Sequence, residues 1–146
     1  MMPIYTAIPF TKYWELRNYL FGGKATISII SNKTNTHFTY RVVSASKTAG
    51  RYFVWVKVDK KLMFLGTIDA FGKKFFWSPR SSIPQNWKRY KAFLWLWRHV
   101  INKNIPKSVY VYRYNNCCVC GRKLTNPKSI KAGIGPECKK NYKGIS

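Results

Sequence analysis

All four cysteines of the chain fall in one stretch, NNCCVCGRKLTNPKSIKAGIGPECKK, between Asn115 and Lys140. Cys117 and Cys120 form C-x-x-C, followed at once by Gly121. Two thiolates at that spacing, on a tight turn, can both face one metal ion. The amides of the turn stabilise the sulfurs, and the glycine supplies the backbone angles. Cys138 follows at the spacing of a zinc ribbon's second half. Zn2+ is therefore the expected cofactor. A structural zinc takes four ligands, and a ribbon would place the last at position 141, which is Asn141, a poor ligand. The fourth position is open to Cys118, to His37 or His99 arriving from the body, to Glu137, or to water; Cys118 ranks ahead of either histidine. The alternative is free thiols in a turn held by hydrogen bonds alone. A disulfide between neighbours Cys117 and Cys118 would be strained.

The same inventory argues against catalysis. A zinc base deaminase needs H-x-E upstream of its C-x-x-C, but His37 is followed by Phe38 and Thr39, and His99 by Val100 and Ile101. Two-metal nucleases and glycosidases need converging carboxylates. The only acids here are Glu15, Asp59, Asp69 and Glu137, scattered along the chain. The expectation is a non-enzymatic protein with no small-molecule substrate.

Those four acids face 27 Lys and Arg, a net charge of +23 on 146 residues. So lopsided a balance repels itself unless a polyanion relieves it. A lysine-rich codon bias would raise Lys but would not remove Asp and Glu. Nucleic acid, DNA or RNA, is the expected partner. The rival is an inhibitor or adaptor that docks on an acidic host protein or a ribonucleoprotein. No apolar run approaches the roughly 18–20 residues that cross a bilayer, and the first residues lack a signal peptide's basic and apolar regions. Both point to a cytoplasmic protein without a membrane partner, with reduced thiols.

Hydrophobic residues make up 46% of the chain, enough for a real core. The stretch 11–21 reads as a short helix capped by Thr11, with Tyr13, Trp14, Leu16 and Leu20 on its apolar face. KATISII, THFTYRVV, RYFVWVKV, KLMFLGTI and KKFFW read as strands in an antiparallel meander, with a tight hairpin at Asp59–Lys61. A long helix follows, starting near Pro84, its stripe formed by Trp87, Tyr90, Phe93, Leu94, Trp97, Val100 and Ile101. KSVYVYRY reads as a last strand. The expected fold is α+β: a meander of about five to six strands, one long helix, a short N-terminal helix and a small C-terminal zinc knuckle. The expected division is a basic body at 1–114 and a cysteine-rich segment at 115–146.

Strand alternation places Tyr52, Val54, Val56 and Val58 on one side of RYFVWVKV and Arg51, Phe53, Trp55 and Lys57 on the other. Rings mixed with cations suit single-stranded nucleic acid, where bases stack and phosphates meet Lys and Arg. A second helix over that side would make it core instead, and a protein-binding patch is a third option. Arg41, on the neighbouring strand, joins Arg51, Trp55 and Lys57 as a candidate nucleic-acid contact.

The C-terminal stretch resembles a family of small, uncharacterised phage and bacterial proteins. The likeness is carried by C-x-x-C-G-R-x-L-T, S-I and G-I-G-P-x-C, met here by Cys117, Cys120, Gly121, Arg122, Leu124, Thr125, Ser129, Ile130, Gly133, Ile134, Gly135, Pro136 and Cys138. FTYRV, LGTI and KAFLWLWRHV are more loosely similar. The resemblance implies a zinc-binding module, phage-type and so in a bacterial host's cytoplasm, with no established activity. Read physically, TNPKSI is a turn into a short helix, capped by Thr125 or Asn126 with Pro127 first, and GIGPE opens another through Cys138. Arg122, Lys123, Lys128, Lys131, Lys139, Lys140 and Lys143 surround the second helix, whose amides could seat a phosphate. Alternatively, Arg122 braces the turn by bonding backbone carbonyls.

Overall fold

The computed structural model describes residues 8–31, 34, 36–45, 47–105 and 110–142. In chain order these form β1 (Ile8–Pro9), α1 (Tyr13–Leu20), β2 (Lys24–Ser31), β3 (Thr36–Ser44), β4 (Arg51–Val58), β5 (Lys61–Asp69) and β6 (Lys74–Trp77). The long helix α2 (Lys88–Ile101), strand β7 (Tyr110–Arg113) and short helices α3 (Pro127–Ala132) and α4 (Pro136–Asn141) follow. All strands join one antiparallel sheet of order β1-β7-β2-β3-β4-β5-β6.

The five meander strands lie where β-branched and aromatic residues alternate. The hairpin between β4 and β5 closes on Asp59, whose φ of 57° lies in the left-handed region that Asp tolerates better than most. One strand, the two-residue β1, exceeds the expected five to six. The last strand, β7, inserts between β2 and the two-residue β1 rather than extending the far end. The first residues of the expected last strand, 107–109, and Lys143 lie outside the described residues.

One face of the sheet is buried, and both longer helices pack on it. Phe93 of α2 sits 5.1 Å from Tyr40 and 5.0 Å from Phe75, ring centre to ring centre. Trp97 meets Phe21 edge-on at 6.1 Å. The ring hydroxyls in this layer find backbone acceptors: Tyr40 donates to the Arg89 carbonyl at 2.6 Å and Tyr52 to that of Phe21 at 2.8 Å. Leu16 and Leu20 bring α1 onto the same core with no exposed surface.

The helix faces differ from expectation at their ends. Trp14 is 56% exposed, and Tyr19 takes its place in the core. The cap of α1 is Lys12 rather than Thr11; the Glu15 carboxylate accepts from the Lys12 amide and the Thr11 hydroxyl, both at 3.0 Å. Residues 84–87 form a turn, with the Trp87 amide donating to the Pro84 carbonyl, so α2 begins four residues after Pro84. Trp87 and Ile101 are exposed and Leu96 is buried, because the stripe that meets the sheet is Tyr90, Phe93, Leu96, Trp97 and Val100. No helix among the described residues is long and apolar enough to cross a membrane.

The opposite face carries no helix among the described residues. Phe53 is 38% and Phe76 50% exposed there, with Arg51, Lys57, Leu62 and His37 also open to solvent. The two faces should respond differently to truncation. Phe93→Ala is expected to cost about 3–5 kcal/mol, and Phe53→Ala about 1 kcal/mol or less, read by denaturant unfolding. Equal costs would show that the open face is packed.

Candidate metal centre and basic sheet face

The turn that presents the sulfurs is held by its own backbone. The Gly121 amide donates to the Cys117 carbonyl at 2.9 Å, and the Cys117 amide to that of Arg122 at 2.9 Å. The Leu124 amide reaches the Asn115 carbonyl at 2.8 Å, and Asn116 pairs with Lys123 as an isolated bridge. Gly121 takes φ 78°, which is strained for any residue with a side chain. Cys138 arrives from α4. Before it, α3 is capped as expected: Asn126 Oδ1 accepts from the Lys128 amide at 2.9 Å, with Pro127 first. Of the glycines between the helices, Gly133 takes positive φ and Gly135 does not.

These supports bring Cys117, Cys120 and Cys138 together, their sulfurs all within 4.8 Å of one another. Tetrahedral zinc with bonds of ~2.3 Å would set sulfurs ~3.8 Å apart, so small side-chain adjustments suffice. The three cysteines can hold a metal ion, and the amides aimed at Cys117 fit a thiolate there. Burial pushes the Cys117 thiol up, but the Cys120, Gly135 and Val119 amides outweigh it and bring it down to about 7. Cys138 is pushed up to about 11, by desolvation first and then by hydrogen bonds with Cys117 and Cys120 and their charge. Three sulfurs this close cannot all ionise without a cation between them.

Cys118, preferred above as fourth ligand, is not in this group. Its neighbour Cys117 faces the other sulfurs, while Cys118 turns inward and is buried against the body. A side-chain carbon at Gly22 would sit 2.6 Å from its sulfur, so the glycine admits the tail at this point. Burial first, then the Cys117 charge, pushes the Cys118 thiol up to about 12. Neither histidine reaches the site: His37 bonds Ser28 Oγ at 3.2 Å, and His99 the Trp95 carbonyl at 3.0 Å. Glu137 pairs with Lys140 at 3.6 Å and, with the three cysteines, Arg122, Lys123 and Asn126, lines the hollow of about 490 Å3 onto which the sulfurs open.

The tail is anchored to the body at several points. The Lys24 amide donates to the Cys118 carbonyl at 2.7 Å, and the hydroxyls of Tyr19 and Tyr142 reach the Asn116 and Asn18 carbonyls. Arg113, only 6% exposed, lies over the Tyr19 ring and donates to the Lys131 carbonyl at 2.6 Å. Nothing in the sequence pattern marks this buried arginine.

The candidate nucleic-acid contacts fall into separate groups. Arg122, Lys123, Lys128, Lys131, Lys139 and Lys140 are exposed on the tail. The Arg122 carbonyl holds the turn, while its guanidinium bonds no carbonyl among the described residues. The Gly135 amide, at the start of α4, points at Cys117 Sγ (3.4 Å) and not at a phosphate seat. Arg41, Arg51, Trp55 and Lys57 share the open sheet face, where the register sets Arg41 opposite Trp55.

Alternation along β5 misses Phe64 on that face. A bulge at Val54/Trp55 slips the register, so Trp55 opposes Phe64 while Phe53 opposes Thr67. The adjacent Leu65–Gly66 pair, both buried, is the signal that strict alternation fails there.

A family model described as a family of unknown function (DUF6011) matches residues 108–143. The matched stretch holds all four cysteines. No curated protein and no solved structure matches the chain.

Cys120→Ser and Cys138→Ser should each abolish stoichiometric metal binding, whereas Cys118→Ala should retain it, by elemental analysis. Uptake should release protons and weaken from about pH 8 to about pH 6, because the ligands are thiolates. Metal retained by Cys120→Ser would contradict the assigned group.

Proposed function

We propose that this chain is a non-enzymatic, phage-type nucleic-acid-binding protein whose tail is stiffened by zinc. The observation that carries the reading is the charge imbalance together with its lack of internal relief. Cations outnumber acids 27 to 4 in the sequence, and the only ion pair among the described residues joins Lys140 to Glu137. The remaining cations are spread over strands, α2 and the tail. Such a distribution suits a long polyanion better than one small acidic patch.

Binding of this kind is mainly to phosphates and weakly specific for sequence. Zinc is among the ions that thiolates favour, and its role is to remove the mutual repulsion of the sulfurs and fix the tail. The rival remains docking on an acidic protein, where the same cations would steer association.

If about five to eight phosphates are neutralised, the log–log slope of duplex affinity against salt should be about −4 to −7. Titrations at several salt concentrations check this, and a flat response removes the reading. Partners retained from nuclease-treated lysate, with no affinity for polynucleotides, would support the rival. One zinc per purified chain is expected, and metal-free protein with unchanged melting in chelator would contradict the tail's role.

A further inference from the structure

We infer that the open face of β3–β6 is a binding surface for single-stranded nucleic acid. Bases lie against Phe53, Trp55 and Phe64, and phosphates against Arg41, Arg51 and Lys57. This rests on the polyanion reading and names its site and the form of polynucleotide it takes.

The face is built in rows. Along β4, Arg51, Phe53, Trp55 and Lys57 point the same way, at intervals of about 7 Å. The rings are thus flanked by a cation at each end of the same strand. Across the sheet, Arg41 opposes Trp55 and Phe64 opposes it on the other side. Phe64 meets Trp55 at 5.3 Å and Phe53 at 6.1 Å, both edge to face, so the three rings form one continuous patch. Beyond Thr67 the next strand adds exposed Phe76 and Lys74. Two acids are nearby: Asp69 opposes Arg51 and accepts from the Gly72 amide, and Asp59, in the hairpin turn, also lines a hollow beside the rings.

This hollow of about 460 Å3 is lined by Arg41, Lys57, Lys60, His37 and Thr39, with Asp59 as its one acid. Its hydroxyls and cations can bond a sugar, a phosphate or a base edge, and its size is in the range of small-ligand pockets.

These features select among partners. A duplex keeps its base faces inside the stack, so it would use the cations and leave the rings idle. A single strand offers both faces and phosphates to one surface. A second copy is disfavoured because each carries +23. Strands β3–β6 span about 15 Å, room for about four or five nucleotides at stacked spacing.

The test compares one mixed sequence as single-stranded DNA, single-stranded RNA and duplex DNA, with anionic vesicles as a further probe. Trp55→Ala and the more exposed Phe53→Ala should each weaken single-strand binding about tenfold and duplex binding less than about twofold. Photo-crosslinking of the native chain should map to β4 or β5, which decides the matter even if Trp55→Ala unfolds. Equal losses on both forms, no loss on the single strand, or crosslinks confined to the tail would overturn this inference while leaving general polynucleotide binding intact. Wild-type protein that ignores every oligonucleotide in dilute salt, or binds only vesicles, would instead remove the polyanion reading itself.

Discussion

The packing of Phe93 against Tyr40 and Phe75 is the contact on which the rest of the molecule depends. It fixes α2 to one face of the sheet, and α1 joins it there through Leu16 and Leu20. With both longer helices on one side, no described helix covers the other; Tyr114 closes over Ser28 on β2, and β3–β6 present rings and cations. A one-sided antiparallel sheet is an ordinary solution. Here the solvated side departs from the usual small polar residues, because it keeps large aromatics beside Arg and Lys.

The charge imbalance sets a second constraint. Mutual repulsion of the cations weakens the compact state, so the fold leans on its apolar layer and on bonds between tail and body. The tail enters at close range where Gly22 leaves room for Cys118, and Tyr19, Tyr142 and Arg113 fasten it. The two neighbouring cysteines thereby do different work. Cys118 is packing, buried as a small apolar side chain; Cys117 faces Cys120 and Cys138, close enough to share a metal ion with them.

Much of this was legible in the residues. The five meander strands, the Asp59 hairpin and the Asn126–Pro127 start of α3 follow from local chemistry, and each lies where that chemistry puts it. The C-x-x-C turn with distant Cys138 likewise converges. What was not legible depends on tertiary packing. Trp14 and Tyr19 both fit an apolar stripe on α1, and only the sheet's position decides that Tyr19 is the buried one. Cys118 has the right chemistry for a ligand, but its direction depends on the body it packs against. The bulge before Phe64 hides an aromatic from strict alternation, and the insertion of β7 beside β2 is a choice of sheet edge that local pattern does not encode. Whether the ring-bearing side of β4 was core or surface hung on where the helices dock, which is a property of the whole layer.

On the proposed reading, helices on one side leave the rings and cations on the other free to meet a polynucleotide. The most direct measurement is backbone and indole nuclear magnetic resonance of the zinc-loaded chain titrated with a short single strand. The account predicts shifts concentrated on β3, β4 and β5 and at the Trp55 indole, with the buried layer around Phe93 unmoved. Shifts confined to α2 or the tail, with the sheet face silent, would contradict it.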